Sequence, residues 1–223
     1  MEAPGGDTCP RFDGSNDYAT INSATLQAAF PSALGSMAIW LRVLDAAVWA
    51  DATEDAIFYC RVDANNYVKF QKQGAANKMR LEYKAGGTSK LVDITTSETD
   101  WIHLAITWTK AGDQAIVYYN GAQSGATLTG LGTWVGTSFA FSTIGYVIDT
   151  IKGWAAHAQI YGTVLTPARI LELYTRGLTT SPLAMTLDTP FAYQVIQRSG
   201  VTGTITIAGD AAYVGAQIEA EAA

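Results

Sequence analysis

The stretch Trp101-Ile102-His103-Leu104-Ala105-Ile106-Thr107-Trp108-Thr109 decides the fold class. Ile102, Leu104, Ile106 and Trp108 fall on one side, and Trp101, His103, Ala105 and Thr107 on the other. A period of two is the strand repeat; a helix would turn Leu104 away from both Ile102 and Ile106. Working outward, residues 115–119 form a second β-rich run that stops at Asn120-Gly121. Both of those residues tolerate positive φ, which a two-residue hairpin demands. Met37, Ile39, Leu41 and Val43 alternate in the same way upstream, as do Ala56, Phe58, Cys60 and Val62. Turn-forming residues 63–66 and 74–77 separate the runs 67–71 and 79–84, and residues 139–147 and 154–161 supply two more strands. Short strands at this spacing predict an all-β sandwich or jelly roll.

One helix is marked. Thr166 can cap it, Pro167 suits its first position, and Gly177 can end it in a left-handed turn. Ile170, Leu173 and Tyr174 give it a narrow apolar stripe for packing on the sandwich. Beyond it the texture changes. Thr179-Thr180-Ser181-Pro182 and Asp188-Thr189-Pro190 bracket a linker over 179–190. Residues 191–223 then read as a β arm, with runs at 193–198 and 202–208 around Ser199-Gly200. Two or three strands do not make a stable domain. The arm is therefore expected to pair with the sandwich, with a neighbouring subunit in a homo-oligomer or lattice, or with sequence outside this chain.

Composition sets the outer bounds. The 223 residues are 48% hydrophobic and only 15% charged, with 21 Gly, 6 Trp and 11 Tyr. That supports a large core and excludes general disorder. The net charge is -6, and the 14 Lys and Arg are scattered. Without a basic stripe, neither nucleic acid nor an anionic membrane is an expected partner. No apolar run approaches the roughly 18 residues of a membrane span. Residues 1–7 lack the basic and apolar regions of a signal peptide. Cys9 and Cys60 sit in no CxxC or metal-type spacing, and both are expected to be reduced.

Five segments, in this order, resemble the laminin-G-like, concanavalin A-like jelly-roll family over about residues 8–178. They are Arg11-Phe12-Asp13-Gly14-Ser15-Asn16-Asp17-Tyr18, Ser36-Met37-Ala38-Ile39-Trp40-Leu41, residues 101–108, Val117-Tyr118-Tyr119-Asn120-Gly121, and Ile151-Lys152-Gly153-Trp154 running on to Leu165-Thr166-Pro167. The resemblance implies two antiparallel sheets in a domain spanning 1–178. It also implies a non-catalytic module that binds carbohydrate or protein, as in adhesins, multidomain enzymes and phage structural proteins. Residues 190–198 and 202–209 resemble the opening strands of a β module that accompanies sialate-esterase-like SGNH hydrolases.

Chemistry is sparse. Glu98 and Asp100 are followed by Trp101, Ile102 and His103, where a glucanase-type motif would carry a third acid. Glu219 and Glu221 lie at the extreme terminus. Neither pair is expected to perform the two-carboxyl chemistry of a glycosidase. His103 and His157 have no nucleophile motif beside them, and no phosphate-binding loop is present. Asp13, Asn16 and Asp17 put three oxygen-bearing side chains in one turn, a donor set suited to calcium; the alternative is that they cap backbone N–H groups. The resemblance implies an acid after Gly153 beside such a calcium site, yet the chain reads Ala155-Ala156-His157. Trp49, Trp134 and Tyr146 fall in or near loops, where an exposed ring could stack on a sugar; burial beneath a loop is the alternative. The expectation is a non-enzymatic structural or adhesive jelly-roll module of a larger assembly, a phage virion foremost, at a virion or cell surface. A glycan is its expected ligand and other subunits its partners. The alternative is a carbohydrate-binding module from a larger, esterase-like protein.

Overall fold

The computed structural model describes residues 3–6, 9–30, 32–74, 77–136, 141–145 and 150–178. The linker and arm expected over 179–223 lie outside these residues. In chain order the elements are β1 (Arg11–Asp13), β2 (Tyr18–Thr20), α1 (Ala24–Ala29), β3 (Leu34–Val43), α2 (Ala47–Ala50) and β4 (Asp55–Asp63). Then follow β5 (Asn66–Gln73), β6 (Lys78–Ala85), β7 (Thr88–Thr95), β8 (Ile102–Thr109), β9 (Gln114–Tyr119), β10 (Ala122–Gln123) and β11 (Leu128–Thr129). The last three are β12 (Phe141–Gly145), β13 (Lys152–Tyr161) and α3 (Pro167–Leu178).

These strands make the expected two-sheet antiparallel sandwich. A seven-stranded sheet runs β1-β13-β3-β8-β9-β10, with β11 also on β9. A six-stranded sheet runs β2-β12-β4-β5-β6-β7, and its last four strands form a simple meander. The two inner faces meet in one core. From β3 it takes Met37, Ile39, Leu41 and Val43, and from β8 Ile102, Leu104, Ile106 and Trp108. Phe58, Val68, Phe70, Met79, Leu81 and Tyr83 come from the opposing sheet. Phe58 and Phe70 meet edge to face at 5.9 Å, the geometry that ring quadrupoles favour.

The hairpin at Asn120-Gly121 forms as expected, with φ of 49° and 80° and Tyr119 opposite Ala122. Helix α3 covers the outer face of the seven-stranded sheet. The Thr166 hydroxyl accepts from the Arg169 N–H at 3.2 Å; Ile170 is buried against Ala38, Ala105 and Tyr118, and Tyr174 stacks on Trp40 at 5.5 Å. Gly177 departs from expectation. It lies inside α3 without a positive φ, and a Cβ there would come within 2.4 Å of the Trp40 ring. The glycine serves close packing of helix on sheet, not a left-handed ending.

Gly153 has an equally tight position. It pairs with Phe12 on one side and Val43 on the other, and a Cβ would stand 2.1 Å from the Arg42 carbonyl oxygen. Gly153→Ala is expected to cost about 1–3 kcal/mol, the usual penalty of overpacking. Urea unfolding should show an earlier midpoint with an unchanged slope. A midpoint equal to that of the parent protein would contradict this close-approach role.

Candidate functional site

The strand that opens the site is β6. Met79, Leu81 and Tyr83 point into the core, so Lys78, Arg80, Glu82 and Lys84 must point outward. Register extends this into rows across four strands, because directly opposed residues share a face. Lys84 lies opposite Tyr67, which lies opposite Arg61. Glu82 lies between Leu91 and Lys69, and Lys69 faces Tyr59. Arg80 lies between Asp93 and Gln71. The outer face of the six-stranded sheet therefore combines fork-shaped polar groups with two tyrosine rings.

These groups orient one another. Arg80 and Asp93 form a two-pronged pair, Nε to Oδ1 at 2.8 Å and the second nitrogen to Oδ2 at 2.9 Å. The Tyr67 hydroxyl donates to Glu82 Oε1 at 3.0 Å, Ser89 donates to the same oxygen, and Lys69 Nζ sits 3.3 Å from Oε2. Gln71 donates to Glu54 at 3.1 Å. The Tyr67 ring lies between two ammonium groups, Lys69 at 5.2 Å and Lys84 at 5.5 Å from its centre, and meets Tyr59 edge-on. At the Arg80 end a cleft of about 350 Å³ opens among Glu54, Gln73, Lys78, Arg80 and Asp93, a size that holds small ligands.

The charges have defined states. The hydrogen bonds from Arg80 hold Asp93 below the usual carboxylate range, against a smaller opposing effect of burial. Burial and the neighbouring Glu82 carboxylate push the Tyr67 phenol up, so it stays protonated as a donor. Behind the face, on the core side of β5, Lys72 is wholly buried. Its ammonium donates to Asp51 and to the Thr53 carbonyl at 2.6 Å, and lies 3.3 Å from Asp55. A buried charge persists only when paired in this way. Burial would raise Asp51, but hydrogen bonds from Lys72 and Thr53 outweigh it and leave it low; Asp55, more deeply buried, is raised. This cluster pins the 51–55 segment that carries Glu54 to the rim of the cleft.

The residues singled out from sequence lie elsewhere. Trp49 is 1% exposed in α2 and its indole N–H donates to the Glu98 carbonyl at 2.7 Å, so the expected exposed ring is a core ring. Trp134 is half-buried, 6.0 Å from Tyr83 and 5.9 Å from Phe30, which turns it toward the core. Tyr146 lies outside the described residues. In the turn after β1, Asp13 Oδ1 accepts from the Ser15 N–H at 2.9 Å, and Asp17 Oδ2 accepts from the Asp13 N–H at 2.8 Å. Those carboxylates cap the turn. Among the described residues no three His, Cys, Asp or Glu converge as a metal site.

Asp100 is exposed and reaches Arg42 at 3.7 Å, while Glu219 and Glu221 lie outside the described residues. His103 packs 5.2 Å from Trp40 and 6.2 Å from Tyr174; burial, then the nearby His157, pushes it down to about 4 and leaves it neutral. His157 bonds the Pro4 carbonyl at 2.6 Å from a left-handed bulge position in β13. Neither cysteine forms a disulfide. Cys60 is fully buried, and burial pushes it up to about 12. Among the described residues no helix is long and apolar enough to cross a membrane.

Comparison with known proteins places the chain. Residues 13–171 match the model of the concanavalin A-like lectin/glucanases superfamily, Laminin_G_3, and the chain belongs to that family. No curated protein matches the sequence. Among solved structures, the receptor-binding domain of botulinum neurotoxin C/D mosaic serotype aligns with a TM-score of 0.60 at 15% identity. That alignment covers 76% of this chain and 43% of the toxin chain. Botulinum neurotoxin type C, in a structure whose description concerns cell entry through two ganglioside molecules, aligns at 0.52 and 16% identity, covering 72% and 39%. The leech intramolecular trans-sialidase aligns at 0.59 and 12% identity, covering 81% and 29%. At these identities the likeness is one of fold, and this chain spans less than half the length of each neighbour. The family match ends before the residues that carry the esterase-module resemblance, which also lie outside the described part.

The Arg80–Asp93 pair makes the face sensitive to acid in a defined direction. A lowered carboxyl contributes stability in full above its unfolded value of about 3.9 and loses it as pH falls. The stability gap between the parent protein and Asp93→Asn should therefore be widest near neutrality and shrink as pH drops below about 4. A gap that is constant from pH 7 to pH 2, measured by denaturant unfolding, would contradict the pairing.

Proposed function

We propose that this member of the concanavalin A-like superfamily is a non-catalytic carbohydrate-binding module that holds its saccharide on the outer face of β4–β7. The carrying observation is the interlocked Arg80–Asp93 and Lys69–Glu82 pairs beside the cleft and the two tyrosines. Sugar hydroxyls need donors and acceptors fixed in advance, since ordering long side chains at binding costs affinity. Here Arg80 and Lys69 are already held by Asp93 and Glu82. The lectin and glucanase character of the family, and the ganglioside named for one structural neighbour, support the same reading.

The setting of the acids supports binding without turnover. A glycosidase needs one carboxyl raised to donate a proton, with a second within about 5–9.5 Å. On this face Asp93 is lowered and Glu82 is engaged on both oxygens. The setting consistent with this role is the adhesive or structural part of a larger assembly, a phage virion or an extracellular surface, with residues 191–223 joining it to other subunits. As a module of a larger carbohydrate-active protein it would use the same face.

A glycan array is the direct test. Binding should appear, and Arg80→Gln should weaken it about tenfold, the scale of one charge-assisted hydrogen bond. An array negative throughout for a folded protein would overturn the proposal, as would measurable hydrolysis of a bound glycan.

A further inference from the structure

The charge on the candidate face is opposite to that of the whole chain. The strand positions of the face carry five cations, Arg61, Lys69, Lys78, Arg80 and Lys84, out of 14 Lys and Arg in a chain of net charge -6. Two carboxylates, Glu82 and Asp93, stand among them, with Glu54 and Asp63 at the rims. Asp93 and Glu82 neutralise Arg80 and Lys69. Arg61, Lys78 and Lys84 form no salt bridge among the described residues, although Arg61 and Lys78 act at longer range on Asp63 and Asp93. Charge left unmatched on one face of a weakly charged protein raises the local concentration of ligands of opposite sign.

Two of these cations also share a geometry. Lys84 and Arg61 occupy the ends of one cross-strand row with Tyr67 between them. Two strand spacings set their backbones about 10 Å apart. Lys84 already leans over the Tyr67 ring, and Tyr67 is fixed by its bond to Glu82. The row sets an ammonium and a guanidinium fork on either side of the buried Tyr67 ring, able to hold an acidic group between them.

We infer that the saccharide bound on this face is anionic, with its carboxylate or sulfate held between Lys84 and Arg61. The inference rests on the carbohydrate-binding reading and adds the charge of the ligand and the place of its acid. Sugars carrying sialic or uronic acid and sugars carrying sulfate share this chemistry.

The test uses matched pairs on a glycan array, each acidic glycan beside its neutral counterpart, with sialylated, uronate and sulfated pairs as separate arms. Acidic members should bind about tenfold or more tightly, and the preference should fade as salt rises and shortens the screening length. Lys84→Gln and Arg61→Gln should each remove about tenfold from acidic binding and so narrow the preference for the acidic member of each pair, while Lys84→Arg retains it. Both side chains are part-exposed, and thermal unfolding of each variant checks that it folds. Equal binding of acidic and neutral partners would overturn the inference and leave the carbohydrate reading standing. Acidic binding untouched by both glutamine variants would overturn the placement. Silence across the whole array would remove the carbohydrate reading and this inference with it.

Discussion

Burying Met79, Leu81 and Tyr83 forces Lys78, Arg80, Glu82 and Lys84 onto the other side of the same strand, because a pleated backbone offers only two faces. The rest of the site depends on that constraint. The register of β5 and β7 against β6 then decides which charges meet. A slip of one residue would send Arg80 and Glu82 into the core, so the hydrophobic contacts that stabilise the sandwich also hold the polar face in place. On the proposed reading, stability and recognition share one strand.

The partition of charge follows from the same geometry. Inside, Lys72 meets Asp51 and Asp55, an ion cluster that desolvation would make costly if either partner were missing. Outside, Arg80 and Lys69 are matched, while Lys84 and Arg61 flank Tyr67 unmatched. The matched pairs keep the surface rigid, and the unmatched cations give it a sign.

Much of the sandwich is legible in the sequence. Clean alternation in residues 37–43 and 102–108 predicts β3 and β8, and Asn120-Gly121 predicts its hairpin, because the signals are local. β7 is harder to see: Leu91 and Val92 are adjacent, and the strand shows itself only when paired with β6. The candidate site is hidden for a related reason. Alternating charges in a strand look like ordinary solvent exposure, and nothing local tells Arg80 that Asp93 will stand opposite, or Tyr67 that Lys84 and Arg61 will flank it. The matching alternation of Lys78, Arg80, Glu82 and Lys84 with Tyr67, Lys69 and Gln71 is the one clue the sequence holds. Trp49 misleads in the other direction, since a loop-like context hides that α2 folds it inward. Gly177 looks like a helix ending because its actual constraint, the Trp40 ring, lies far away in sequence.

Locating the bound saccharide on the protein tests the central claim most directly. Backbone amide resonances, followed during titration with the glycan that binds best, should shift in β4, β5, β6 and β7, with the largest changes around Tyr67, Arg80 and Lys84. Shifts confined to β13, α3 and the outer face of the seven-stranded sheet would contradict the account.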